Sequence, residues 1–444
     1  MTKDISMDQL KKFQNDYENR KDSSVLERAV SHNGILETSA DYKSDANMDP
    51  VFSIELDTGD VSNQKRSGRC WLFAALNTMR HHMANTLNLK GNWELSQNYV
   101  TFWDKLEKSN YFLENVLKTA NKPTDSRKVS WLMNSPQGDG GQWDMLCALI
   151  EKYGIVPKSV MPETHSSNNS AGLDNALNLK LRHSASVLRQ LVAKKATSDK
   201  ISKTKTKMLN DIYRMLAYSF GKPVQKFNFE YRDKDGNYHI DQGITPKEFF
   251  KKYVNVNLED YVSLINSPTE DKPFNKTYTI DMLGNVAGGR QIKHLNLTMD
   301  QFQELTIKQL KNGESVWFGS DVAQSSDRQK GIMDTKQYDR SALFDTDLSM
   351  SKAERLNYKE SAMDHAMVIT GVDIVDGQPT KWKVENSWGK KVGNKGYFVM
   401  SNDWFRTFVY QVVINKKYMS DNLKKLQAQK PIVLKPWDPM GTLA

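Results

Sequence analysis

Cys70 stands six residues after Gln64 in the run Gln64-Lys65-Arg66-Ser67-Gly68-Arg69-Cys70-Trp71-Leu72-Phe73. Those two residue types are what acyl transfer to a thiol requires. A thiolate attacks a carbonyl carbon, and the oxygen that becomes negative needs donors already in place. Leu72, Ala75, Leu76, Met79 and Met83 recur at helical spacing, so Cys70 is expected in the first turn of an amphipathic helix. There the free N–H groups and the positive end of the dipole favour a thiolate. The Ser67-Gly68 turn is expected to fold the chain back, so that the Gln64 carboxamide and the Cys70 N–H point at one oxyanion. The alternative for this segment alone is a buried structural cysteine beside a loop glutamine.

A thiol nucleophile also needs a base and a group that holds the base in orientation. Asp364-His365-Ala366-Met367-Val368-Ile369-Thr370-Gly371-Val372 reads as a strand with His365 near its start. An Asp376-Gly377 turn follows, and then Lys381-Trp382-Lys383-Val384-Glu385-Asn386-Ser387-Trp388-Gly389 begins as an alternating strand. Such a ribbon brings Asn386 close to His365, where its side-chain oxygen can accept an imidazole N–H. Cys70, His365 and Asn386 thus supply nucleophile, base and orienting group in that chain order.

These three segments resemble those of papain-like cysteine peptidases, and the run ending in Cys70-Trp71-Leu72-Phe73 resembles their bleomycin hydrolase or aminopeptidase C branch in particular. Asp139-Gly140-Gly141-Gln142-Trp143-Asp144 is similar to the glycine-rich wall on which such enzymes lay the substrate backbone. Without a Cβ, Gly140 and Gly141 let a peptide approach closely enough to pair main chain with main chain. A plain surface turn is the other reading of that segment. The resemblance implies an α+β papain-like fold, with a helical half carrying Cys70 and a β-rich half carrying His365 and Asn386. It implies amide hydrolysis through a thioester, with Gln64 and the Cys70 N–H as the oxyanion hole and Trp388 shielding the His365–Asn386 bond.

The spacing departs from a minimal chain of this kind. His365 lies 295 residues after Cys70 (365 minus 70), roughly twice the interval of about 130–150 usual for papain-like enzymes. A large, largely helical insertion accounts for the excess, its most helical part running from Leu179 to Tyr218. The expected organisation is an N-terminal helical extension at 1–60, the helical catalytic half at 61–163, the insertion at 164–345, the β-rich half at 346–428 and a C-terminal arm at 429–444. In the branch resembled, such insertions serve assembly into a ring of six subunits, which implies a homohexamer.

The arm, Lys430 to Ala444, carries Pro431, Pro436 and Pro439, so it is expected to run extended. Fifteen extended residues reach on the order of 50 Å, enough to cross a subunit and return to a cleft. The resemblance implies that this arm enters the active-site cleft and that Ala444 presents its carboxylate to a substrate's α-ammonium. Substrates would then be peptides with a free N-terminus, and the enzyme an aminopeptidase. A related endopeptidase with an open cleft is the alternative, and a frayed tail is the usual fate of a terminus. A non-catalytic or nucleic-acid-binding assembly protein is a further alternative.

Composition agrees with a folded enzyme. The 444 residues are 38% hydrophobic with 10 Trp, 17 Tyr and 17 Phe, ample for a sizeable core. No run of eighteen apolar residues appears, and the first thirty residues lack an apolar signal core, so no membrane association and a cytoplasmic location are expected. Two cysteines make no disulfide framework, and Cys147 lies in an apolar run that reads as a buried helix. The eight histidines are scattered, and the adjacent His81 and His82 lack partners at metal-ligand spacing, so no metal is expected. Gly288-Gly289-Arg290 is not followed by a phosphate-loop Lys-Ser or Lys-Thr, so no cofactor is expected either. The balance of 62 Lys+Arg against 53 Asp+Glu is modestly basic and densest at Lys194–Lys207. That patch lacks interleaved aromatics and arginine, which favours a solvated helix face over a nucleic-acid site.

Overall fold

A computed structural model describes residues 4–89 and 92–443. Its centre is the Cys70–Thr86 helix, which is buried nearly all round rather than on one face. The amphipathic helix expected there is corrected by its surroundings. It packs against the sheet through the His365–Val375 and Val316–Ser320 strands, and against the helices Gln97–Lys118 and Trp143–Tyr153. A helix enclosed by neighbours on all sides has no solvent stripe to keep polar. Its interior polar side chains are tied down: Asn77 donates to Ser62 Oγ, and Arg80 at 2.7 Å and His81 at 3.1 Å meet Glu385.

Among the described residues one mixed sheet of twelve strands spans the molecule. Its middle runs Tyr261–Ile265, Val409–Asn415, Val316–Ser320, His365–Val375, Gln378–Glu385 and Tyr397–Ser401, each antiparallel to the next. Two apolar clusters form its two sides. The first joins the Cys70 helix, the Trp143–Tyr153 helix and the two helices of the insertion. The second packs Met299–Lys311 and Asn402–Phe408 against Val262, Val316, Trp382 and Val412. The fold is mixed α and β, as expected.

The segment 164–345 begins helical and becomes mixed further along. Helices Ala171–Ala193 and Ser198–Phe220 do form a hairpin packed on Gln97–Lys118. The remainder mixes short strands, loops and the helix Met299–Lys311. Tyr261–Ile265, Thr277–Ile280, His294–Asn296 and Val316–Ser320 all join the sheet that holds His365, so a boundary at 345 would cut the sheet. Those strands are buried on both faces and show no alternation for a sequence reading to detect. The lysine patch spans the hairpin's turn and the start of its second helix, with Lys203 paired to Asp199 and Lys205 to Glu114.

The N-terminal residues form helices Met7–Glu18 and Ser23–Asn33, the first opened by a Ser6 capping box and burying no residue of its own. At the other end, Ile432–Leu434 pairs in parallel with Thr277–Ile280. The chain then passes Trp437, stacked under the Arg127 guanidinium at 4.0 Å, and turns once at Pro439–Gly441.

Candidate active site

Cys70 is the first residue of its helix and is 4% exposed. Burial pushes its thiol up to about 11, against the pull of the Ala366 and Trp71 N–H groups and with a push from the Asp364 and Asp139 carboxylates. Desolvation thus opposes the thiolate that the helix terminus favours.

His365 opens its strand and neighbours Ala366, whose N–H faces the Cys70 sulfur. The Asp376-Gly377 turn, with both residues at positive φ, returns the chain so that Gln378–Glu385 runs back beside it. Asn386 follows at the strand end. Its Oδ1 lies 2.9 Å from His365 Nε2 and also accepts the Ser387 N–H at 2.7 Å. An oxygen fixed as acceptor by a backbone N–H assigns the proton to Nε2, and Nδ1 is left as the basic nitrogen. Trp388 stacks on the imidazole with centroids 4.8 Å apart, and Arg328 covers the outer face of Trp388 at 4.4 Å. Burial lowers the imidazole to about 4, with the Asn386 bond opposing and Arg328 adding to the fall. Glu385, the residue before Asn386, is locked by Arg80 at 2.7 Å and His81 at 3.1 Å.

Gln64 is buried, and its carboxamide is held at both ends. Nε2 donates to Ser67 O at 2.6 Å, and Oε1 accepts from Ser387 Oγ at 2.6 Å. One Nε2 proton remains for another acceptor. Ser387 thus ties Asn386 to Gln64. The sequence reading missed it, and its only signal was adjacency to Asn386.

In the glycine-rich segment the two glycines do different work. A Cβ on Gly141 would fall 2.5 Å from Trp71, so no other residue fits there without displacing the indole. Its N–H donates to Leu443 O at 2.9 Å. Gly140 turns its carbonyl to Lys108 Nζ at 2.5 Å. The arm therefore lies on this wall: Leu443 is buried in the cluster that contains Cys70, Met363 and Ala366, and Thr442 Oγ1 donates to Met363 O at 3.0 Å. The role expected of Ala444 lies outside the described residues. Among the described residues no group of three or more His, Cys, Asp or Glu could hold a metal, and no helix is long and apolar enough to cross a membrane.

The assembled groups can carry nucleophilic acyl transfer. Comparisons with known proteins point the same way. The model of the Peptidase C1-like family matches residues 4–441. An Aminopeptidase C of Lactobacillus delbrueckii subsp. lactis is 56% identical over 447 residues, covering 100% of this chain and 99% of the relative. An Aminopeptidase C of Listeria innocua serovar 6a is 51% identical over 444 residues, covering 100% of both. The crystal structure of PepW from Lactobacillus rhamnosis HN001 is similar at a TM-score of 0.98 and 62% identity, covering 100% of each chain.

Proposed function

The chain belongs to the Peptidase C1-like family and is a papain-like cysteine aminopeptidase, and from that premise we propose how its residues perform the reaction. Cys70 is the nucleophile. As Sγ attacks the carbonyl carbon of the first peptide bond, its proton passes to Nδ1 of His365, so that the imidazolium and the carbonyl oxyanion form together and the net charge of the site is unchanged. The carbonyl oxygen becomes negative between the Cys70 N–H and the remaining Nε2 proton of Gln64. His365 then gives its proton to the leaving amine, and the thioester that remains is hydrolysed by water with His365 again acting as base. Asn386 keeps the imidazolium oriented throughout, and Trp388 keeps water from that bond.

The observation that carries the aminopeptidase reading is the Gly141 N–H given to Leu443 O. An extended substrate running further toward its own N-terminus would need that donor, and the arm already occupies it. The arm thus leaves room for a free N-terminus ahead of the scissile bond, and we assign the α-ammonium to the carboxylate of Ala444, the residue after Leu443. The Met7, Leu10, Phe13 and Tyr17 stripe, exposed along the first helix, supports association into a homohexamer. Two free cysteines, one of them the nucleophile, suit the reducing cytoplasm.

The test is hydrolysis of one peptide with its N-terminus free or acetylated, by the parent and by Cys70→Ala. Cleavage of the free form alone, lost in the variant, is the expected result. Equal cleavage of both forms would favour an endopeptidase, and an active variant would remove Cys70 as nucleophile.

A further inference from the structure

Asp139 is a buried carboxylate to which the reaction sequence above gives no role. Its side chain meets three separate elements. Oδ2 accepts the N–H of Gly68, in the turn between Gln64 and Cys70, at 2.7 Å. The same oxygen accepts from Ser170 Oγ at 2.5 Å, just before the insertion hairpin. Oδ1 lies 2.7 Å from Nζ of Lys105, which is 1% exposed and also pairs with Asp174. The main chain of Asp139 is held as well: its carbonyl accepts the Trp71 indole N–H at 2.6 Å, and Lys108 donates to the flanking carbonyls of Gly138 and Gly140.

The wall on which Leu443 lies and the turn that presents the oxyanion donors are thus joined by one side chain. Contact there is tight, since a Cβ on Gly68 would stand 3.0 Å from Asp139 Cβ. We propose that Asp139 is a positioning residue of the hydrolysis, which sets the Gln64–Cys70 turn against the glycine-rich wall so that a peptide seated on the wall brings its carbonyl oxygen to the donors. The buried ammonium of Lys105 keeps the acceptor ionised and anchors it to the Gln97–Lys118 helix, so the turn is referenced to a rigid element. Against the push of burial, the Lys105 ammonium, with the Ser170 and Gly68 bonds, holds this carboxyl well below the usual range.

The inference rests on the oxyanion reading above, and two reactions of the same sulfur separate them. Alkylation of Cys70 by iodoacetamide, in which sulfur displaces iodide from a saturated carbon, forms no oxyanion, whereas peptide hydrolysis does. Asp139→Ala and Asp139→Asn would be measured for both, with kcat expressed per thiol titrated by an epoxide inhibitor. The alanine variant is expected to lose about 10²-fold in kcat per titrated thiol, the scale of one oxyanion donor, while alkylation does not fall, since loss of the Asp139 charge also removes a push on the thiol. The asparagine variant keeps an acceptor for the Gly68 N–H and should recover most of that loss. If the alanine variant does not fold, the asparagine variant carries the test through a smaller fall in kcat with no fall in alkylation. Unchanged kcat per titrated thiol, or alkylation falling in step with kcat, would overturn the proposal. Full activity in Cys70→Ala would overturn the underlying reading instead.

Discussion

At the scale of single residues, the chemistry turns on two buried groups shifted in opposite directions. Burial lowers His365 to about 4 and raises Cys70 to about 11. The imidazole must be free to accept a proton, and the pair must hold one proton between sulfur and ring. Activity therefore rises as pH climbs through the lower macroscopic value of the pair and falls through the upper one. Since the ring is lowered from 6.5, the acid limb of kcat/KM should lie below 6.5, and with free-amine substrates the alkaline limb should follow the α-ammonium at about 8. A profile with its acid limb at or above pH 6.5 would contradict the desolvated pair. Gln64→Ala should reduce kcat by about 10²- to 10³-fold, as loss of one oxyanion donor does elsewhere. An unchanged kcat would place the oxyanion away from Gln64. Cys70, His365, Asn386 and Gln64 stood out in the sequence because few other residue types suit the roles proposed for them. Ser387 and Asp139 did not, because hydroxyls and carboxylates are common and only their partners distinguish them. The raised thiol was hidden too, since the helix terminus is visible in a pattern and the depth of burial is not.

At the scale of elements, what could be read depended on periodicity. The Cys70 helix, the His365 strand, the Asp376-Gly377 turn and the returning strand were all readable from local pattern. Tyr261–Ile265 and Val316–Ser320 were not, because a strand buried on both faces is a short apolar run without alternation, and its partners come from Val409–Asn415 and His365–Val375 far along the chain. The arm lay between these cases: its prolines excluded a helix, while its seat on Gly141 appears only in three dimensions. Deleting residues 441–444 should open the cleft. An amine–carboxylate bond in a partly desolvated site contributes about 1.5–3 kcal/mol, so the preference for free over acetylated substrates should shrink by roughly 10- to 150-fold. Both kcat/KM values would be measured on the two forms of one peptide. A preference that survives truncation would mean that the arm is not what restricts the cleft.

At the scale of the whole molecule, a net charge of +9 sets like copies to repel, yet the first helix presents Met7, Leu10, Phe13 and Tyr17 to solvent and buries nothing in its own chain. An exposed apolar stripe on a capped helix suits contact with another copy, and the proposed homohexamer supplies one. Burying one Phe side chain contributes about 1.5–3 kcal/mol, a gain that recurs at every copy of the contact. Phe13→Asp replaces that gain with the cost of desolvating a carboxylate. It touches neither the sheet nor the cleft, so the fold and the chemistry of the single subunit should persist. Light scattering after size exclusion should therefore show the variant at lower mass than the parent, near the 50.9 kDa of one chain if this stripe dominates the contact. Rising salt should strengthen the parent's association by screening the repulsion between copies. A variant that keeps the parent's mass at micromolar concentration would show that the stripe is not part of the contact, and a parent that runs as a single chain would remove the hexamer itself.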